Sequence, residues 1–228
     1  MRIAGMQKLS LLDYPGHTAA TIFTEGCNFR CPFCHNASLI STEESSPLGT
    51  NEVISFLLKR RGLLDGVCIS GGEPLLHNDL AYFLRKIKDL GFLLKLDTNG
   101  SFPDRLQDLL NEGLLDYIAM DIKAAPEKYS QACGVTINFG DIQKSVNILM
   151  KGRTDYEFRT TMVQELQQPK DFLEIAHWLN GAKKYYLQAF KDTGNLLQSG
   201  LHSYSKDEAE QIKTQLASHF EFVELRGY

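Results

Sequence analysis

Three cysteines lie within eight residues near the start of the chain, in the segment Gly26–Asn36 (GCNFRCPFCHN). Cys27, Cys31 and Cys34 are spaced as C-x3-C-x2-C. Clustered thiols in a reducing compartment more often hold metal or carry out redox chemistry than form disulfides. The chain has 5 cysteines in all, and this odd number also argues against a disulfide framework.

Several chemistries are compatible with this spacing. Cys31, Cys34 and His35 fit the C-x-x-C-H pattern of haem attachment, but that chemistry usually occurs in exported proteins, and no export signal is recognisable. Cys31 and Cys34 also fit a thioredoxin-like pair, which leaves Cys27 without a role. The three cysteines with His35 fit a zinc site only in a cramped form, since structural zinc normally joins two well-separated ligand pairs. Unpaired core cysteines are disfavoured because polar residues interleave them.

A further chemistry makes use of a missing ligand. A cubane of four irons and four sulfides needs a ligand at each iron, so three cysteines hold three corners and leave one iron open. The open iron is then free to bind an outside molecule and becomes the reactive one.

Glycine-rich and charged motifs lie at the ends of three later segments that the sequence predicts as strands. They are Ser70–Pro74 (SGGEP), Leu96–Gly100 (LDTNG) and Met120–Lys123 (MDIK). Taken alone, each is typical of a turn or a helix cap. Adjacent glycines such as Gly71 and Gly72 let bare backbone carbonyls approach a ligand ammonium, and the glutamate that follows adds negative charge.

Six strand-then-helix units position these motifs. The predicted strands are Ala19–Thr24, Val67–Ser70, Phe92–Asp97, Leu115–Ile122, Tyr156–Val163 and Lys184–Phe190, with a last edge strand at Phe220–Leu225. The predicted helices cover 51–61, 79–90, 103–113, 141–151, 169–180 and 206–219, and the residues before Ala19 and those from 41 to 50 are predicted as loops. This alternation predicts an α/β fold, a partial (β/α)6 TIM-like barrel with parallel strands, as a single domain over residues 1–228.

Composition excludes some classes of function. The formal net charge is -4, and no run of lysine or arginine is present, which argues against nucleic-acid binding. No window approaches the roughly 18 apolar residues of a membrane span, and the amino-terminal sequence lacks the apolar core of a signal peptide. We therefore expect a cytoplasmic protein without a membrane partner.

The cysteine triplet, with Phe33 directly before its last cysteine and GGE downstream, resembles the radical S-adenosylmethionine enzymes. The resemblance implies that Cys27, Cys31 and Cys34 hold a 4Fe-4S cluster whose open iron is chelated by S-adenosylmethionine. One electron from the cluster then cleaves the sulfonium and yields a 5′-deoxyadenosyl radical. The residues that match the family's cofactor contacts in these two motifs are Phe33, Gly71, Gly72 and Glu73.

The LDTNG and DIK motifs are similar to those of the glycyl-radical-enzyme activating branch. This similarity implies that Lys123 contacts the cofactor carboxylate. It also implies that Asp97, Thr98 and Asp121 lie beside the cofactor, one of the aspartates with a monovalent cation.

The segment SLLDYPG is similar to the activating proteins of anaerobic ribonucleoside-triphosphate reductase, and this implies that Asp13 positions the target peptide. Tyr14 departs from the glycine common in formate-lyase activases. The 16 residues between Cys34 and Asn51 contain no cysteine, so the chain resembles a short form without a ferredoxin-like insert. The implied partners are a glycyl radical enzyme, preferably this reductase, and flavodoxin or ferredoxin as electron donor.

Three alternatives stay open at this point. The target is another glycyl radical enzyme of the pyruvate formate-lyase type, or a small molecule such as a deazapurine precursor, or the chain is a non-catalytic zinc-binding protein. Cys68 and Cys133 are predicted as core or incidental residues. The sequence assigns no role to Arg159, Gln188 or His17.

Overall fold

The computed structural model describes residues 1–40, 48–192 and 194–228. Of the loop predicted over residues 41–50, residues 41–47 lie outside the described part of the chain. No helix in the described part is both long enough and apolar enough to cross a membrane.

Strands and helices alternate along the chain after an initial hairpin. The strands are β1 (Ile3–Ser10), β2 (Ala19–Thr24), β3 (Gly66–Gly71), β4 (Leu93–Thr98), β5 (Tyr117–Asp121), β6 (Asp155–Met162), β7 (Ala182–Ala189) and β8 (Phe220–Arg226). The helices are α1 (Thr50–Leu58), α2 (Leu80–Asp89), α3 (Pro103–Asn111), α4 (Tyr129–Cys133), α5 (Phe139–Lys151), α6 (Pro169–Trp178) and α7 (Lys206–Leu216).

The strands form one sheet in the order in which they occur in the sequence, β1 to β8. β2 pairs in parallel with β3 and β3 with β4, and the same holds for β6 with β7 and β7 with β8. A sheet wound in one direction is typical of barrels, whereas doubly wound sheets reverse their order. The predicted α/β fold with parallel strands and six strand-then-helix units is confirmed.

The prediction of a loop before Ala19 is wrong, because residues Ile3–Ser10 form the strand β1. β1 pairs antiparallel with β2, with Ile3 opposite Thr24 and Ser10 opposite Ala19. The β1 sequence IAGMQKLS shows no alternation of apolar and polar residues, which is the pattern that predicts a strand. In the structure, only its first and last residues are buried. Its extended conformation depends on pairing with β2, which a local pattern does not reveal.

Helix ends follow local chemistry where the sequence provides it. Pro103 occupies the first turn of α3, where its missing N–H costs no hydrogen bond. At α7, the Ser205 hydroxyl accepts from the Glu208 N–H at 3.3 Å, and the Glu208 carboxylate accepts from the Ser205 N–H at 2.8 Å. This reciprocal capping box fixes the start of α7. The short helix α4 lies in a segment predicted as a loop.

The chain divides into two compact units. The first comprises residues 1–28, 38–119 and 153–155, and the second comprises residues 29–37, 120–152 and 156–228. In the first unit, Ile22, Ile69 and Leu96 from neighbouring strands are fully buried; in the second, Phe158 and Leu187 are. The single domain over residues 1–228 stays a prediction.

A buried ion pair in the second unit carries a prediction about stability. Glu157 in β6 is fully buried, and its two carboxylate oxygens accept hydrogen bonds from Arg226 in β8 at 2.6 and 2.8 Å. Glu157→Gln removes the charge that compensates the half-buried guanidinium, so we expect the free energy of unfolding to fall by about 2 kcal/mol. Chemical denaturation measures this loss.

The matched control is Glu112→Gln. Glu112 makes the same two-bonded pair with Arg85 at 2.8 and 2.9 Å, but on the surface. Solvent screening should keep the loss of unfolding free energy below about 1 kcal/mol there. Equal losses in the two variants would contradict the role of burial.

Candidate active site

In the first unit, the loop that carries Cys27 is held against the end of β3 by backbone hydrogen bonds. The Gly72 N–H donates to the Thr24 carbonyl at 2.9 Å, and the Glu73 N–H donates to the Gly26 carbonyl at 2.8 Å. The residue directly before Cys27 is therefore fixed by the GGE motif.

This contact explains why the motif begins with two glycines. A Cβ on Gly72 would lie 1.9 Å from the Gly26 carbonyl oxygen, which is far inside van der Waals contact. Gly71 has φ +108°, a conformation that side chains rarely adopt. The sequence suggested that the glycines admit a ligand ammonium. The structure adds a packing requirement, since no side chain fits between the motif and the cysteine loop.

Glu73 is fully buried and connects the ends of β3 and β4. Its carboxylate accepts hydrogen bonds from the Leu75 N–H at 3.0 Å, the Thr98 hydroxyl at 2.8 Å and the Asn99 N–H at 2.7 Å. Thr98 and Glu73, both predicted as cofactor-binding residues, are thus hydrogen-bonded to each other. Contact of Glu73 with the cofactor stays a prediction.

Asn99 lies within the LDTNG motif, and the sequence assigns it no role. Its side-chain amide donates to the Asn28 side-chain carbonyl at 2.9 Å and lies 3.9 Å from the Cys27 sulfur. The side-chain oxygen Oδ1 of Asn99 accepts in turn from the Ser101 hydroxyl at 2.6 Å. This polar network orients the side chain of Cys27. In the sequence, the only indication that Asn99 could belong to the site is its position directly after a strand.

Asp97 lies in β4 and is partnered by its own unit. The Ser70 hydroxyl donates to its carboxylate at 2.9 Å, and Lys95, a fully buried lysine, forms an ion pair with it. The Lys95 ammonium also lies 3.7 Å from the Cys68 sulfur. The carboxylate of Asp97 is therefore charge-compensated by a lysine that the sequence analysis did not single out.

Asp13 is placed at the other end of β2 from the cysteine loop. Its carboxylate accepts a hydrogen bond from the Thr21 hydroxyl, in the first half of β2, whereas Cys27 follows the carboxyl end of the same strand. The structure does not bring Asp13 next to Cys27. Its predicted role in positioning a peptide stays a prediction.

In the second unit, Cys31 and Cys34 lie in a tight turn in which the Cys34 N–H donates to the Cys31 carbonyl at 3.1 Å. A hydrogen bond from the Cys133 thiol, opposed by burial and aided by the charge of Lys123, lowers the pKa of Cys31 to about 7. Burial raises the pKa of Cys34. Of the two thiols in this turn, Cys31 is therefore the one whose surroundings favour the thiolate. The thiolate is the form that binds metal.

Asp121, Lys123 and Arg159 form a charged cluster that follows β5. The Lys123 ammonium and the Arg159 guanidinium each lie 2.9 Å from the Asp121 carboxylate. Burial opposes ionisation of Asp121, but the charges of Arg159 and Lys123 outweigh it and lower the pKa of Asp121 to about 2. Burial likewise opposes the charge of Lys123, and Asp121 overcomes it, so the pKa of Lys123 is raised. The cluster is ionised near neutral pH and carries one net positive charge.

This positive charge lies beside the cysteine turn. The Lys123 ammonium is 5.9 Å from the centre of the Phe33 ring, which is itself buried. The segment after β7 also packs on this turn, since His35 stacks on Phe190 and the Gln198 N–H donates to the Pro32 carbonyl at 3.2 Å. Arg159, left unassigned by the sequence, belongs to the charged cluster. Gln188 and His17 gain no role.

The donor set fits an iron–sulfur cluster. None of the five cysteines, all of which lie in the described residues, takes part in a disulfide. Within residues 1–40, 48–192 and 194–228, no three His, Cys, Asp or Glu side chains are arranged to hold a single metal ion. The zinc alternative gains no support from this, because tetrahedral zinc needs its ligands around one ion. Cysteines that hold a four-iron cluster each bind a different iron.

Comparisons with known proteins agree with this chemistry. The family model described as the Radical SAM superfamily matches residues 21–179. The chain is 32% identical over 197 residues to a putative glycyl-radical enzyme activating enzyme of Methanocaldococcus jannaschii, covering 83% of this chain and 80% of that protein. It is 31% identical over 127 residues to a pyruvate formate-lyase-activating enzyme of Clostridium pasteurianum, covering 54% and 52% of the two chains.

The fold is also similar to solved structures. A radical SAM methyltransferase from Sphaerobacter thermophilus superposes with a TM-score of 0.74 at 17% identity, over 96% of this chain and 69% of that one. Superfamily membership implies a 4Fe-4S cluster and S-adenosylmethionine as cofactors. The chain is a radical S-adenosylmethionine enzyme and belongs to the glycyl-radical-enzyme activating family.

Proposed function

We propose that this enzyme generates a glycyl radical on a partner protein, and that the partner is an anaerobic ribonucleoside-triphosphate reductase. The observation that carries the first part is the similarity to an activating enzyme along most of the chain. The preference for the reductase rests on the SLLDYPG segment and on the short spacing between Cys34 and the first helix. Reduced flavodoxin or ferredoxin supplies the electron.

Cys27, Cys31 and Cys34 would hold the 4Fe-4S cluster, and the open iron would receive S-adenosylmethionine. Together the two cofactors supply the one-electron chemistry that removes a hydrogen atom from the α-carbon of a glycine. The chain itself binds and orients them. The lowered pKa of Cys31 supports its role, because iron binds the thiolate.

Lys123 would bind the carboxylate of S-adenosylmethionine. Its ammonium is ionised and held by Asp121, and it lies beside the turn that carries Cys31 and Cys34. Asp121 positions this lysine, and Arg159 limits the cost of burying the carboxylate. A cation so placed suits an anionic ligand group, since a charge-assisted bond is about twice as strong as a neutral one.

The remaining predicted residues would complete the cofactor site. Backbone groups of Gly71 and Gly72 would approach the amino group of S-adenosylmethionine. The segment around Phe33 would border the adenine. Four residues would lie beside the cofactor: Glu73, Asp97, Thr98 and Asp121. One of the two aspartates would also bind a monovalent cation. Asp13 would position the target peptide of the partner.

The partner assignment predicts a specific magnetic signal. After anaerobic reconstitution with iron and sulfide, reduction in the presence of S-adenosylmethionine and the reductase should produce a glycyl-radical doublet in electron paramagnetic resonance. We expect no doublet without the partner. Replacing the reductase with a pyruvate formate-lyase should give less than about a tenth of the signal, because docking of the target loop limits the reaction.

Single-cysteine variants provide the controls. Cys27→Ala, Cys31→Ala and Cys34→Ala should each abolish S-adenosylmethionine cleavage, whereas Cys68→Ala, which removes another buried thiol, should retain it. Cleavage by any of the first three variants would contradict the ligand assignment. Cleavage with no doublet on either partner would point to a small-molecule substrate.

The role of Lys123 predicts a binding defect. Lys123→Met removes one charge-assisted hydrogen bond to the cofactor, worth about 1.5–3 kcal/mol, so the dissociation constant for S-adenosylmethionine should rise roughly tenfold or more. Anaerobic calorimetry on the reconstituted enzyme measures it. Lys128→Met is the matched control, since Lys128 pairs with the buried Asp171 at 2.5 Å. A similar loss in both variants would indicate a general structural effect.

A further inference from the structure

Lys95 is a buried cation to which the proposed function assigns no role. It lies in β4, two residues before Asp97, and its side chain is only 2% exposed. A lysine is almost never fully buried unless it is paired. The partner of Lys95 is Asp97, since its ammonium forms an ion pair with the Asp97 carboxylate. Lys95 therefore acts on a residue that the proposed function places beside the cofactor.

The position of the Lys95 ammonium is fixed by the neighbouring strand. Lys95 lies opposite Cys68 in the parallel pairing of β3 with β4, and its ammonium is 3.7 Å from the Cys68 sulfur. Cys68 is itself fully buried. Because Lys95 is enclosed in this way, its charge is a fixed part of the first unit and is not shared with solvent.

Both oxygens of the Asp97 carboxylate have a donor within the first unit. Oδ1 accepts from the Lys95 ammonium, and Oδ2 accepts from the Ser70 hydroxyl at 2.9 Å. The Asp97 side chain is 17% exposed, so little of it is open to an ion from solution. A further cation on this carboxylate would lie close to the ammonium, and in a partly buried site their repulsion is only weakly screened. The arrangement does not fit an alkali cation at Asp97.

The other aspartate of the proposed site is also compensated by the chain. In the second unit, Asp121 pairs with Lys123 and Arg159, both at 2.9 Å. These two cations together carry more charge than the carboxylate, so a further cation is disfavoured there as well.

We propose that the monovalent cation beside the cofactor is the ammonium of Lys95, and that this chain therefore binds S-adenosylmethionine without an alkali ion. Lys95 is a positioning residue, since it acts through Asp97. When S-adenosylmethionine covers Asp97, the exposed part of the carboxylate loses water, and the fixed ammonium offsets this cost. The inference rests on the proposed function, in which Asp97 lies beside the cofactor.

The salt dependence of cofactor binding tests the inference without any partner protein. Anaerobic calorimetry on the reconstituted enzyme measures the dissociation constant for S-adenosylmethionine in sodium, potassium or tetramethylammonium chloride at equal ionic strength. The wild type should bind equally in the three salts, because its cation is part of the chain.

Lys95→Met keeps the length of the side chain and removes its charge. In tetramethylammonium, which is too large to replace the ammonium, we expect the dissociation constant of this variant to rise about tenfold. Sodium or potassium should restore it to near the wild-type value, because the freed carboxylate then binds an alkali ion. Lys88→Met is the matched control, since Lys88 forms a partly exposed pair with Asp116 at 2.6 Å in the same unit. It should behave as the wild type in all three salts.

Several outcomes would overturn the proposal. One is weaker binding by the wild type in tetramethylammonium than in sodium or potassium, a comparison that needs no variant to fold. Another is a Lys95→Met enzyme with the same affinity in all three salts, since an alkali ion would then not replace the lost charge. The same salt dependence in Lys88→Met would assign the effect to the removal of any lysine. A wild type that holds its cluster but binds no S-adenosylmethionine in any salt would instead refute the proposed function, and this inference with it.

Discussion

The cysteine loop is held at two backbone contacts that leave no room for a side chain. In the first unit, Gly26 meets Gly72, where a Cβ would lie 1.9 Å from a carbonyl oxygen. In the second unit, Arg30 meets Gly134, where the corresponding distance is 2.1 Å. Because protein interiors are close-packed, even one methyl group at either position would displace the loop. In each unit, a glycine distant in the sequence thus fixes the backbone next to a cysteine.

Charge compensation is the second constraint on the site. Asp97 and Asp121 both lie at strand ends, and each has a basic partner in its own unit: Lys95 in the first, and Lys123 with Arg159 in the second. Both carboxylates are partly buried, and burial disfavours the charged form, so a nearby cation offsets this cost. Each aspartate therefore has two roles: it places a negative charge at the end of a strand, and it holds its basic partner in position.

Most of the fold could be predicted from local patterns, and the exceptions have physical reasons. The predicted strand Ala19–Thr24 coincides with β2, and Pro103 marks the first residue of α3, because apolar runs and helix-start signals are local. β1 was missed because its conformation depends on pairing with β2 and its side chains show no alternation. α4 was missed because five residues are too few to show a helical period.

The site divides in the same way between local and distant causes. The cysteines could be singled out because their type and spacing carry chemistry, whereas Lys123 and the two aspartates are predicted only through the resemblance of their motifs to a known family. Cys133 could not, since it lies about a hundred residues from Cys31 and its polar segment gives no signal of burial. Lys95 could not be recognised as a partner of Asp97 either, because a lysine is expected to be exposed even within an apolar strand. Sequence spacing predicts groups that could act on a ligand, whereas the residues that contact these groups from distant segments are found only when the folded chain brings them together.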